Sequence, residues 1–258
     1  MLETHGMAEP GDATLAPARS GYADASGLRV ALSPYLFRSM MVGMAGVAVG
    51  LDRVTGNRNL TWRFAKARAR NLAALLGVDV TVVGAEHLAS GGPFVLISNH
   101  QSHLDILTLL GFLPGRTRFA AKREMWNHPV VGSVLDTLDM VPIDRDNPEV
   151  AIAALSRADG TKGSVVVFPE GTRSRDGQLR EFKKGGFVLA IRAGLPVVPV
   201  ICRGTRRLMP RGSQLTVVPG PVEIVVEAPI ATTGLGYDDR DALAAQVRAV
   251  IERHHTGW

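Results

Sequence analysis

Cys202 is the only cysteine in 258 residues, so no internal disulfide can form. That suits a reducing compartment. Aromatic residues make up only 5% of the chain and form no stacking motif, so a nucleic-acid partner is not expected. Long apolar runs are missing too. The uncharged apolar stretch 39–51 lies between Arg38 and Asp52 and holds 13 residues. A simple bilayer-spanning helix needs about 20. The stretch lengthens with Tyr35, Leu36 and Phe37 if Arg38 snorkels, so a segment dipping into a membrane is expected rather than a full span. No early basic stretch leads into an apolar segment, so no secretory signal is expected. Negative charge is also in short supply: 24 acidic residues face 29 basic ones, a net charge of +5 that favours anionic partners.

The remaining composition is that of a folded protein. Apolar residues make up 46% and charged residues 21%, and the length suits one sizeable core with a small appendage. Residues 1–32 are dominated by Gly, Pro, Ala and Asp and read as a disordered tail. Ser33 and Pro34 then read as the N-cap and first position of a helix. A second helix is predicted over 60–76. Trp62, Ala65, Ala69, Leu72 and Leu76 recur on one face of it, and Arg63, Lys66 and Arg70 share another. Residues 33–77 therefore read as a two-helix appendage that associates with membrane, or as a hairpin capping the core.

From Val78 the pattern changes. Short β-branched runs over 78–83, 94–98, 117–121, 140–143, 164–168 and 197–202 alternate with helical stretches near 104–110, 130–137, 148–158 and 183–193. Strands separated by helices imply an α/β domain, 78–258, with a largely parallel sheet covered on both faces. Residues 215–218 and 222–226 flank Pro219-Gly220-Pro221 and read as a hairpin or edge pair. An amphipathic helix over 238–255 closes the chain.

Two motifs about 65 residues apart concentrate the chemistry. Asn99-His100-Gln101-Ser102-His103-Leu104-Asp105 follows one buried strand, and Phe168-Pro169-Glu170-Gly171-Thr172-Arg173-Ser174 follows another. In open α/β sheets, ligand sites gather beyond the carboxyl ends of strands. There His100 can take a proton from an attacking hydroxyl, with Asp105 holding its Nδ1. The plainer alternative is a histidine capping the helix and an aspartate complementing its dipole. Arg173 can clamp a phosphate. Glu170 can pair with an arginine or accept a substrate hydroxyl, and Gly171 permits close backbone approach. Ser174-Arg175-Asp176-Gly177 reads as a charged surface turn. The arginines at 203, 206, 207 and 211 fit lipid headgroups, donor phosphates or a solvated loop.

With these motifs the chain resembles the glycerolipid acyltransferases of the PlsC-like, 1-acylglycerol-3-phosphate acyltransferase type. His100 to Asp105 matches their His-x4-Asp motif, and Phe168 to Ser174 matches their Phe-Pro-Glu-Gly-Thr-Arg-Ser motif in full. Lys122-Arg123-Glu124-Met125 with Pro129 and Gly132 is similar to their second block, which Val141-Pro142-Ile143-Asp144-Arg145 ends. Leu195 to Val200 is similar to the fourth.

The resemblance implies His100 as general base and Asp105 as its orienting acid. Arg145 and Arg173 would hold the acceptor phosphate, with Glu170, Gly171 and Thr172 in the same substrate loop. Lys122 would bind phosphate or the oxyanion. It implies direct acyl transfer from acyl-CoA or acyl carrier protein to a lysophospholipid, with no cofactor and no metal, at the cytoplasmic face of a membrane. Two other readings compete: a metallohydrolase using His100, His103 and Asp105, and a membrane-binding protein without catalysis.

Overall fold

The protein, as a computed structural model, is described over residues 26–89, 92–144, 150–151 and 163–255. Seven strands form one sheet in the order β1-β7-β6-β2-β5-β3-β4. They are β1 (Val78–Val83), β2 (Val95–Ser98), β3 (Thr117–Lys122), β4 (Val141–Ile143), β5 (Ser164–Val167), β6 (Val197–Arg203) and β7 (Gly220–Val226). Every pairing is parallel except β6 with β7. The expected α/β class with a largely parallel sheet is therefore present.

The sheet's centre explains its apolar strands. All four residues of β2 are buried, because helices cover both faces. Leu96, Val166 and Val198 point into one core layer, with Leu72 and Leu76 behind α2 (Arg58–Leu75) and Leu104 and Leu109 on α3 (Leu104–Phe112). Val95, Ile97, Val165 and Val167 point into the other. There they meet Phe187 and Leu189 of α5 (Gly185–Ala193) and Leu243, Val247 and Ile251 of α7 (Arg240–His255). Each large aliphatic side chain so buried contributes about 1.5–3 kcal/mol. Other α-helices are α1 (Ser26–Thr55), α4 (Pro129–Thr137) and the single turn α6 (Thr205–Leu208).

Three expectations need correction. First, α1 does not begin at Ser33; it begins at Ser26 and carries Pro34 inside it. Proline lacks the N–H that would bond the carbonyl four residues back. That carbonyl belongs to Val30, and the Ser33 hydroxyl donates to it instead at 2.7 Å. The helix thus reaches 30 residues, about 45 Å, enough by length and composition to cross a membrane. Of the tail read as disordered, residues 1–25 lie outside the described residues.

Second, 215–218 forms no strand. Gln214 and Leu215 have φ of 53° and 72°, which interrupt an extended run. The segment instead packs on α1: the Val217 N–H donates to Ser33 Oγ at 2.9 Å. With no partner strand at 215–218, β7 pairs antiparallel with β6 and parallel with β1.

Third, the basic face of α2 is partly spent inside the protein. Lys66 Nζ donates to the carbonyls of Leu113 and Gly115, and Arg70 Nε to that of Gly111 at 2.6 Å. These carbonyls lie at the C-terminal end of α3, where cations are favoured. The helix expected at 148–158 lies outside the described residues except for Val150 and Ala151, which are helical.

Candidate active site

The parallel pairing of β2, β5, β3 and β6 brings their carboxyl ends to one edge of the sheet. Both chemical motifs start there, after β2 and β5. Asp105 lies in the first turn of α3, as expected, and its carboxylate has no solvent exposure. Its Oδ2 lies 2.9 Å from His100 Nδ1 and also accepts the backbone N–H groups of Gln101 at 2.7 Å and Ser102 at 2.8 Å. An oxygen that only accepts requires the hydrogen of His100 on Nδ1. Nε2 is then left to accept a proton. The imidazole also stacks on Phe168, with ring centroids 4.0 Å apart and planes within 16°. His100 is therefore not a helix cap; His103 occupies that position, and its side chain makes no capping bond.

Glu170 behaves otherwise than the sequence suggests. It is only 2% exposed, and both of its carboxylate oxygens accept backbone N–H groups. Oε1 takes that of His100 at 2.8 Å and Oε2 that of Arg180 at 3.3 Å. Burial pushes its pKa up, against the pull of these two bonds and of His100. Glu170 thus seats the backbone beneath the imidazole and engages no guanidinium in these bonds.

Gly171 has φ of 68°, and a Cβ there would stand 2.7 Å from Lys183 Nζ. Glycine is required by the positive φ of the turn, whereas the flexible end of exposed Lys183 would move aside. Thr172 and Arg173 are half-buried in the same loop. Burial, and then neighbouring Arg211, lower the Arg173 pKa. No acidic side chain pairs with Arg173 among the described residues, so its charge is available to an anion. Lys122 is exposed at the end of β3, two strands from β2. Arg145 lies outside the described residues.

The turn after the second motif is more than a charged surface turn. Ser174 is buried, and its N–H donates to the His100 carbonyl at 2.9 Å. Arg211 donates to the Arg173 carbonyl at 2.9 Å and Arg206 to that of Arg175 at 3.3 Å, so part of the arginine cluster braces this loop. Arg203 pairs with Glu223 at 2.7 Å.

Sequence reasoning passed over Asn99 and Phe168. Asn99 is fully buried and bonds the Cys202 backbone in both directions, at 2.8 and 2.9 Å, locking β2 to β6 where the loop departs. A polar residue ending an all-apolar strand was the available signal. Cys202 itself is buried, which raises its thiol pKa well above the ordinary value and leaves it unfit as a nucleophile. No group of three or more His, Cys, Asp or Glu that could hold a metal ion occurs among the described residues, so the His100–His103–Asp105 metal arrangement does not assemble.

Comparison with known proteins follows the same lines. The acyltransferase family model matches residues 79–203, which span both motifs. The 1-acyl-sn-glycerol-3-phosphate acyltransferase BAT2, chloroplastic, of Brassica napus is 42% identical over 153 residues, covering 58% of this chain and 44% of that protein. The 1-acyl-sn-glycerol-3-phosphate acyltransferase alpha of Homo sapiens is 33% identical over 224 residues, covering 82% and 76%. The crystal structure of PlsC, the 1-acyl-sn-glycerophosphate (LPA) acyltransferase of Thermotoga maritima, superposes with a TM-score of 0.74 at 28% identity. That superposition covers 90% of this chain and 98% of the other.

Proposed function

Because this chain belongs to the 1-acyl-sn-glycerol-3-phosphate acyltransferase family, we propose that it moves a fatty acyl group from a thioester donor to the free hydroxyl of 1-acylglycerol 3-phosphate, forming phosphatidic acid. The observation that carries this reading is the His100–Asp105 pair at 2.9 Å, one loop from the available charge of Arg173.

In this reading His100 Nε2 takes the proton of the acceptor hydroxyl as its oxygen attacks the thioester carbonyl. Asp105 stabilises the resulting imidazolium. The tetrahedral oxyanion collapses, the carbon–sulfur bond breaks, and the imidazolium returns its proton to the departing sulfur. The substrate hydroxyl is the nucleophile, so no serine is needed. Arg173 and Arg145 hold the acceptor phosphate. Lys122 supports the phosphate or the oxyanion. The donor is acyl-CoA or acyl carrier protein, and no cofactor or metal takes part.

Membrane attachment belongs to the same proposal. Leu28, Leu32, Tyr35 and Val42 recur along one exposed face of α1, opposite buried Ser33 and Phe37. Such a face suits lipid contact at the cytoplasmic side, where a thioester donor and a lipid acceptor meet. An acyl-transfer assay with purified protein, lysophosphatidate, and either acyl-CoA or acyl carrier protein tests the reading. Release of free thiol with formation of phosphatidic acid supports it. Absence of transfer with both donors would overturn it.

A further inference from the structure

From the contacts of the last helix, and resting on the acyltransferase reading, we infer that His255 and Gln101 form a latch that positions the catalytic loop against the loop of Arg173. Gln101 follows His100 directly, and its backbone N–H already serves the Asp105 carboxylate. Its side chain reaches the other way. Gln101 Nε2 donates to the Gly177 carbonyl at 3.1 Å. His255 Nε2 lies 2.6 Å from the same oxygen, and an acceptor at that distance requires the hydrogen on Nε2. The two nitrogens stand 3.0 Å apart, side by side on one carbonyl.

That carbonyl belongs to the turn whose start is tied to the base. Ser174 N donates to the His100 carbonyl, and Ser174 Oγ accepts the Gly177 N–H at 3.0 Å. Arg173 immediately precedes the turn. The turn therefore has one bond to the catalytic loop at its start and the latch at its end. His255 ends α7, 154 residues from Gln101. The helix is anchored separately. His254 Nε2 lies 2.5 Å from Glu227 Oε1, and Arg248 donates to the Arg180 carbonyl at 2.7 Å. Removing His255 therefore releases the latch without undocking α7. His255 touches neither His100 nor Arg173, so its role is positioning.

Small misplacements of reacting groups carry large rate penalties. His255→Ala should lower kcat roughly 10-fold, with a smaller change in donor KM than in acceptor KM. His255→Gln should recover most of the loss, because the Gln Nε2 reaches the place of the imidazole Nε2. Gln101→Ala and His255→Ala combined should be little worse than either alone, as members of one unit are non-additive. Hydrogen exchange over 174–178 should rise in His255→Ala and return in His255→Gln.

Wild-type kcat and acceptor KM in His255→Ala, fully additive losses, or unchanged exchange over 174–178 would each overturn the latch. If the wild type transfers no acyl group, the acyltransferase reading fails instead. The exchange measurement then still decides whether the latch exists.

Discussion

The backbone N–H of His100 donates to Glu170 Oε1 at 2.8 Å, so a residue of the second motif supports the base of the first across 70 positions of sequence. The His100 carbonyl in turn accepts the N–H of Ser174. Both backbone polar groups of His100 are thus held by the Phe168–Ser174 motif, and its ring is stacked on Phe168. The two motifs form one site, because neither loop has its geometry without the other.

His100→Ala should abolish transfer while circular dichroism stays native, since a positioned base is worth about 10² to 10⁴ in rate. Asp105→Asn should be comparably severe, because the amide cannot accept all three bonds that converge on Oδ2 and also support an imidazolium. His103→Ala should be milder. Near-normal kcat in His100→Ala would remove the central assignment.

Arg173→Ala should raise acceptor KM roughly ten- to hundredfold, from the 1.5–3 kcal/mol of a charge-assisted bond. Arg173→Lys should not restore it if the phosphate is held bidentately. Initial-rate kinetics with acceptor varied at saturating donor make the measurement. Unchanged acceptor kinetics would move the phosphate site toward Lys122 or Arg211.

Glu170 holds its loop as a carboxylate, and burial raises its pKa. Its protonation on acidification therefore begins above the ordinary carboxylate range. The acid limb of kcat/KM should lie correspondingly high. Glu170→Gln should lower the rate and remove the contribution of Glu170 to this limb, because the amide accepts one backbone N–H and does not titrate. A pH–rate profile of the two proteins tests this. Identical limbs would assign the titration to another group.

Lys66 titrates at about 8 instead of 10.5, because it is partly buried and lies near Arg70. Between those values the unfolded chain binds a proton that the folded protein does not. Stability from this group therefore rises with pH through that window. The melting temperature of wild type minus that of Lys66→Met should increase from pH 8 to 10.5. A flat difference would show that Lys66 stays charged in place.

Val42 is 73% exposed and Leu28 72% on the outer face of α1. Val42→Asp with Leu28→Asp should weaken sedimentation with anionic vesicles and leave the melting temperature almost unchanged. Deleting the helices is the poorer test, because Leu72 and Leu76 of this region sit in the main core. Arg63 and Arg68 remain exposed on α2, at roughly 1 kcal/mol each near an anionic surface. Wild-type binding should thus weaken in high salt without vanishing, since apolar burial is not screened. Equal sedimentation of wild type and variant would show that this face serves no lipid.

The seven strands of the sheet and the two motifs were legible in the sequence, although 215–218 was not the strand its pattern suggested. Buried parallel strands must be apolar along their whole length, and the abrupt change to Asn99-His100 marks where β2 leaves the core. Hence β1 was legible to the residue, and the His100–Asp105 pair followed from a spacing of five within one loop and one helical turn. Tertiary structure decided what depended on distant partners. Pro34 could stay inside α1 because Ser33 takes over the Val30 carbonyl while accepting Val217 from the far end of the chain. Glu170 became a backbone seat, Lys66 a cap on α3, and 215–218 a coil against α1. Periodicity and propensity report which face a residue turns to the core. They do not report which polar group, 70 or 184 residues away, will satisfy a buried acceptor. That choice is made only when the layers close and water is excluded from between them.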